Sequence, residues 1–376
     1  MPIAGTNIPL NSTEGEDKIT STEKVTTTYL SSGATEITAP DIVSQSLSDD
    51  NEIYYFGVSN ASTPTTPEFN IAYGNANGNG GNDYSDTVKS PAQAIYKQWS
   101  SLLLNPTEVT GGFFISRNIG LTSVPTNASI ASGRDDEIFV LTGRRTLQKD
   151  RLNKKNWTII LSGSNSSGNA LAPLYLTDDS QNDSPIATPA GDRYNIVSGS
   201  DGTVHTAATT RTFGYYYPHV GALVFSQQEL SASIQGSTAD VNDVVIFNDV
   251  THKGFGTTNT NTDSKQALRF VNCLTSLGNA NAAGAKLSFR DEEDQVSAQY
   301  FCRIKAAHCN FSNNPTFVSG SQNKLRGNKM RGNPQTFITG VQLYNDSNEI
   351  VAVANLSTPL RKNFSSEATV KVKLTY

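Results

Sequence analysis

Asp178-Asp179 with Asp183 is the carboxylate cluster best placed to hold a divalent cation, because hard cations such as calcium take cages of oxygen ligands. The run lacks the fixed spacing and central glycine of a calcium loop, so a turn built from Asp, Ser and Asn is the better reading. Asp291-Glu292-Glu293-Asp294 reads the same way, as the solvated tip of a hairpin. Cys302, His308 and Cys309 lie close together, but structural zinc needs four ligands, usually with cysteines two to four residues apart. The remaining cysteine, Cys273, is distant, so buried thiols are expected. A Cys/His nucleophile pair fails because adjacent His308 and Cys309 would point to opposite faces of a strand. His205, His219 and His252 have no carboxylate partner in a recognisable motif, and His219 is expected to pack among the tyrosines that precede it.

Phosphate chemistry is no better served. Ser198-Gly-Ser-Asp-Gly202 and the Gly/Ser run at 162–168 lead into no helical pattern, so both read as turns and not as phosphate cradles. Neither a nucleophile elbow nor an HExxH pair occurs. Two basic clusters, Arg144, Arg145, Lys149, Arg151, Lys154 and Lys155, then Lys324, Arg326, Lys329 and Arg331, could meet nucleic-acid phosphates. The chain as a whole carries a net charge of −5, whereas nucleic-acid-binding modules are usually basic. The expectation is therefore no catalytic residue, no cofactor, no metal and no nucleic-acid partner.

Elements that would position such residues are mainly strands. Charged residues make up 17% of the chain and apolar ones 36%, both low, while Ser, Thr, Asn and Gly are abundant. Aromatics at 9% argue against intrinsic disorder. No run approaches the roughly 18 apolar residues that span a membrane, and the first residues show no secretory pattern. Three scattered cysteines point to reduced thiols made in a cytoplasm.

Buried strands are expected at 52–57, 113–115, 138–141 and 157–161, where short apolar runs are bounded by turn residues. A helix is expected from Ser90-Pro91 to about 104, with Ile95, Trp99 and Leu102 inward, and stopped by Asn105-Pro106. A second should run from Asp263 or Ser264 to 277, burying Ala267, Phe270, Val271 and Leu274. Residues 287–289 and 296–304 should pair as a hairpin. Towards the end, Phe337, Thr339, Val341 and Leu343 share a face, residues 345–348 supply a turn, and Thr358-Pro359 breaks the apolar run from Ile350 to Leu356. The final alternation puts Val370, Val372, Leu374 and Tyr376 inward and Lys371, Lys373 and Thr375 outward.

The predicted fold is mainly β with a few helices (α+β), in three regions. Residues 1–90 form an extended N-terminal arm, a first strand and a Gly/Asn-rich loop; 91–262 form a mixed central domain; 263–376 form a helix and a β-rich, sandwich-like C-terminal domain. The arm has little apolar surface and is expected to order against a neighbouring subunit by strand addition through Val25, Thr27, Tyr29 and Leu30.

The same C-terminal residues carry a resemblance. Asn310-Phe-Ser-Asn-Asn-Pro-Thr-Phe317, Asn333-Pro-Gln-Thr-Phe-Ile-Thr-Gly-Val-Gln-Leu-Tyr-Asn-Asp346, Val351-Ala-Val-Ala-Asn-Leu-Ser357 and the Val370-Lys-Val-Lys-Leu-Thr-Tyr376 ending resemble structural, baseplate-type virion proteins of contractile-tailed phages, notably those of cyanobacteria. The resemblance spans about the last eighty residues. It is weaker around Leu176-Thr-Asp-Asp-Ser180, Tyr194-Asn-Ile-Val-Ser-Gly199 and Tyr217-Pro-His-Val-Gly221. It implies a virion part in several copies, a baseplate wedge or tail-associated protein assembled in the host cytoplasm, with baseplate, tail or neck subunits as partners. The alternatives are a neck or collar protein, or a tail module that binds a host glycan.

Overall fold

The computed structural model describes residues 17–38, 41–46, 55–78, 91–115, 134–163, 172–205, 212–234, 266–275, 286–319, 322 and 324–376. The protein is mainly β with a few helices. Strands β1 (Lys18–Thr28), β2 (Glu36–Thr38), β3 (Ile42–Ser46), β4 (Tyr55–Asn60) and β5 (Phe69–Asn75) precede helices α1 (Pro91–Leu103) and α2 (Pro106–Val109). Next come β6 (Glu137–Gly143), β7 (Arg151–Leu152), β8 (Thr158–Leu161), β9 (Leu174–Asp178), β10 (Ile186–Thr188), β11 (Gly191–Ser200), β12 (Thr203–Val204), β13 (Gly214–Tyr217) and β14 (Ala222–Ser226). Helices α3 (Gln227–Ser233) and α4 (Gln266–Thr275) follow. The chain then forms β15 (Lys286–Ser288), β16 (Arg290–Ile304), β17 (Val318–Ser319), β18 (Lys324–Leu325), β19 (Thr336–Tyr344), β20 (Ile350–Lys362) and β21 (Ala368–Thr375).

Two compact units result: Val25–Glu293, and a second that joins the residues up to Lys24 to Asp294–Tyr376. These limits differ from the three regions read along the sequence. The reason is pairing: β2 to β5 belong to the same sheet as β6 and β8 to β14, so described residues from Tyr29 to Asn75 share a core with the central region.

In the larger unit that sheet runs β2-β15-β8-β9-β11-β13-β14-β6-β5-β4-β3, and every neighbouring pair along it is antiparallel. Its central strands are apolar on both faces. Phe139 and Leu141 of β6 join one core cluster while Ile138 and Val140 join another, which is what a strand covered on both sides requires. Phe270 of α4 covers the first face, with its ring 5.4 Å from Phe139 and 5.1 Å from Phe225. Ala267, Val271 and Leu274 are buried beside it, as the helical spacing predicts. Residues 263–265 and 276–277 of that expected helix lie outside the described residues.

Helix α1 covers the second face, but its inward side is one residue on from the expected one. Ala92, Tyr96, Ser100 and Leu103 are buried, and Leu102 is exposed. The Tyr96 hydroxyl accepts a hydrogen bond from the Phe113 amide (3.0 Å) and donates to the Asp135 carbonyl (2.9 Å), so the face that carries it turns inward. Ser90 lies outside the described residues. Phe113, Phe114 and Ile115 are buried as expected but form no strand; their backbone groups bond Asp135 and the hydroxyls of Tyr96 and Tyr215 instead.

In the smaller unit β21 pairs antiparallel with β16, from Ser297 opposite Thr375 to Ile304 opposite Ala368, so the C-terminus is built into a sheet. Val370 and Val372 are buried, Leu374 is half-buried and Lys371, Lys373 and Thr375 are exposed. Tyr376 departs from the expectation. Its backbone bonds Val296 in both directions, yet its side chain is exposed because the small core ends at Leu374. β19 and β20 form a separate two-stranded ribbon whose Leu343 packs with Ile304, Val370 and Val372. Two thin β layers around one core match the expected sandwich-like arrangement.

Candidate interaction surface

The Asp178-Asp179 pair fastens turns and strands. Asp178 is fully buried and accepts hydrogen bonds from the Lys155 amide (2.9 Å) and from the amide and hydroxyl of Ser180. Lys155 has φ 70°, a left-handed turn that an aspartate acceptor can pin. A Cβ on Gly202 would meet Lys155 at 2.7 Å, so this turn has room only for glycine there. Asp179 accepts from the Asn195 amide (3.0 Å) and side-chain amide (2.7 Å), tying the end of β9 to β11. Asp183 sits on the exposed turn beyond. Among the described residues no three His, Cys, Asp or Glu side chains gather in a way that could hold a metal ion.

Burial pushes the Asp179 carboxyl up to about 6, partly offset by its bonds to Asn195 and reinforced by the neighbouring Asp183 and Asp178. A folded pKa above the unfolded value of about 3.9 means the native state keeps a proton that the unfolded chain has lost. Its stabilising contribution is complete below about pH 4, falls through the window up to about 6, and is gone above it. The loss amounts to about 2–3 kcal/mol at 1.36 kcal/mol per pK unit. Asp179→Asn should flatten that slope, since the Asn195 amide keeps its acceptor and the Asn195 side chain can turn over. Denaturant midpoints measured from pH 4 to 8 should converge at the acid end and favour the variant at the alkaline end. Parallel curves would show that Asp179 is not the group responsible.

The expected hairpin tip at 291–294 is instead the interior of β16, with Asp291 and Glu292 buried. The expected hairpin does not form: β15 pairs with β2 and β8 while β16 pairs with β7 and β21, and the carboxylates are covered because cations reach them from β7 and its approach. Arg151 Nε lies 2.6 Å from Glu292, Lys149 Nζ lies 2.8 Å from Glu293, and the Lys149 amide donates to Asp291 (2.8 Å). These same contacts engage part of the first basic cluster, and Lys154 Nζ donates to the Tyr194 hydroxyl at 2.8 Å. The second cluster, Lys324, Arg326, Lys329 and Arg331, is exposed.

Cys273 is buried, while Cys302 and Cys309 are half-buried. His308 and Cys309 occupy a turn after β16 rather than a strand, and Cys309 has φ 55°. His219 is exposed on the turn between β13 and β14 instead of packed among tyrosines, because Tyr215, Tyr216 and Tyr217 alternate into the two core faces and leave the turn outside. His205 is exposed with its ring 6.2 Å from Tyr175; His252 lies outside the described residues.

The expected inter-subunit strand also needs correction. Tyr29 and Leu30 are buried in their own chain's core, with the Tyr29 ring 5.1 Å from Phe69 and its hydroxyl donating to the Glu68 carbonyl. Val25 and Thr27 are half-buried in β1. Partners distant in sequence supply the apolar surface that the local composition lacks.

Among the described residues, the large apolar side chains that remain exposed are concentrated in the smaller unit. Ile19, Phe311, Phe337, Tyr344, Ile350, Val351, Val353, Phe364 and Tyr376 all lie there, against Leu102 and Ile186 in the larger unit. Several of these share the outward side of the β19–β20 ribbon. Val341 pairs with Ala354 and Leu343 with Ala352 on the inward side; Gln342 pairs with Val353 and Tyr344 with Ile350 on the outward side.

A break in pairing determines these sides. Ile338 opposes Leu360 and Gly340 opposes Asn355, so residues 356–359 face Thr339 alone. The irregularity flips the alternation, turning Ile338 inward and Phe337, at 59% exposure, outward. Strand β20 therefore runs on through Thr358-Pro359 to Lys362. Pro359, which has no amide to donate, falls in the unpaired stretch where that costs no ladder bond. The turn at 345–348 forms as expected, with the Asn345 side chain accepting from the Glu349 amide at 2.8 Å. The outward face was legible in one signal: residues 350–354 are apolar at every position, which puts apolar groups on both sides of a ribbon that has one core.

No family model, curated protein or solved structure matches this chain.

Proposed function

We propose that this chain is a structural component of a phage virion, a baseplate wedge or tail-associated protein that works by assembly. The observation that carries the assembly reading is the outward face of the β19–β20 ribbon, where Tyr344, Ile350, Val351 and Val353 are each at least half exposed on a folded unit. Monomeric soluble proteins rarely leave such contiguous apolar faces uncovered, and those that do mark contacts with other macromolecules. The ribbon and β21 are also the segments whose residues resemble baseplate-type virion proteins. The buried Asp178 and Asp179 are consistent with the same reading, because their oxygens accept hydrogen bonds that fasten turns and strands.

Purified particles of the virus that encodes the chain provide the test. Peptides of this protein should be found in intact virions at a fixed ratio to other tail components and should stay with the tail and baseplate when heads are removed. Recovery only from the soluble lysate would overturn the proposal; recovery with the neck would favour the collar alternative.

A further inference from the structure

The outward face of the ribbon has a charge pattern that selects one kind of partner. No charged residue occurs within 336–344 or within 350–360. Charges stand only at the ends: Arg361, opposite Phe337 and exposed, at one, and the turn carrying Asp346 and Glu349 at the other. At about 3.3 Å per residue these ends are roughly 20–23 Å apart. Between them lie Gln342, Tyr344, Ile350, Val351, Val353 and Asn355. The Tyr344 hydroxyl already donates to Gln342 Oε1 at 2.6 Å, so covering the ring strands no donor. Among the described residues neither β19 nor β20 pairs with any other strand.

A face that is positive at one end, negative at the other and neutral between is complementary to itself when turned through a two-fold axis. We propose that this face is a homotypic interface: a second copy of the chain packs antiparallel on the ribbon and sets Arg361 of each copy beside Asp346 and Glu349 of the other. The areas agree. With Phe337 included, the exposed apolar side chains amount to on the order of 500 Å². An interface of standard size buries about 800 Å² per partner, of which about 56–65% is apolar. A partner of one charge sign would leave one end of the ribbon opposed, and a copy in the parallel sense would bring like charges together. The proposal rests on the reading of the chain as an assembly component and names the partner of that surface.

Sedimentation equilibrium of the full-length chain tests it. The chain should be a dimer at micromolar concentration. Val353→Glu, at a position 60% exposed and so harmless to the fold, should weaken the dimer at least about tenfold, since it buries an unpaired charge. Arg361→Glu should also weaken it about tenfold, and Arg361→Glu combined with Asp346→Lys and Glu349→Lys should restore most of the affinity. Circular dichroism would confirm that each variant is folded. A monomer at tens of micromolar, a dimer indifferent to Val353→Glu, or no rescue by charge exchange would each overturn the proposal. A chain that is monomeric yet found in virions would leave the virion reading standing, while a dimer absent from virions would remove that reading alone.

Discussion

A chain ending at Ser366 should lose the fold of its smaller unit. The missing strand β21 contributes Val370 and Val372, which are buried in one cluster with Ile304 and Leu343, and Leu374 packs beside them. Burying each valine is worth about 1.5–3 kcal/mol, and Leu374 adds part of a similar amount. The sum approaches the whole stability of an ordinary domain, about 5–15 kcal/mol. The backbone of β16 from Ser297 to Ile304 would also lose its partner on the β21 side, keeping only β1 on the other, and that side would become an open edge, which invites aggregation. Hydrogen exchange is the direct measurement. Amides of residues 297–304 should lose protection, while those of β6 and β14 in the other unit should keep theirs. A truncated chain that melts like the full-length protein would mean that the last strand is dispensable.

Arg193→Met should destabilise the larger unit by about 3–5 kcal/mol, the range seen when one partner of a buried ion pair is removed. Arg193 is 4% exposed and meets Glu108 with two bonds, Nη1 to Oε2 at 3.1 Å and Nη2 to Oε1 at 3.3 Å. Its guanidinium also lies 4.4 Å over the Tyr215 ring, a stacked position that a lysine cannot reproduce. In the variant Glu108, half-buried on α2, is left as a carboxylate without its cation. Adding Glu108→Gln should recover much of the loss at pH 7, because the neutral amide needs no cation opposite it. Urea midpoints of the three proteins at pH 7 would show this. A double variant no more stable than Arg193→Met would locate the cost in packing over Tyr215 rather than in the orphaned charge.

Period and composition alone determine a good deal of this molecule. Abundant Ser, Thr, Asn and Gly with few charges signal a mainly β chain. The 3.6-residue spacing of Ala267, Phe270, Val271 and Leu274 determines the buried face of α4, and the strict alternation of residues 370–374 determines both the strand and its inward side. These patterns are local, and a backbone of fixed geometry converts them directly into faces. Partners far along the chain decided the rest. Asp291 and Glu292 look like a solvated tip until β7, about 140 residues earlier, brings Arg151 and the Lys149 amide against them. Tyr29 looks like part of a free arm until Phe69 and Glu68 enclose it. One irregularity in the β19–β20 pairing reverses the side on which Phe337 stands. Sequence periodicity states which residues share a face, but a face becomes core or surface only when the tertiary fold supplies something to cover it.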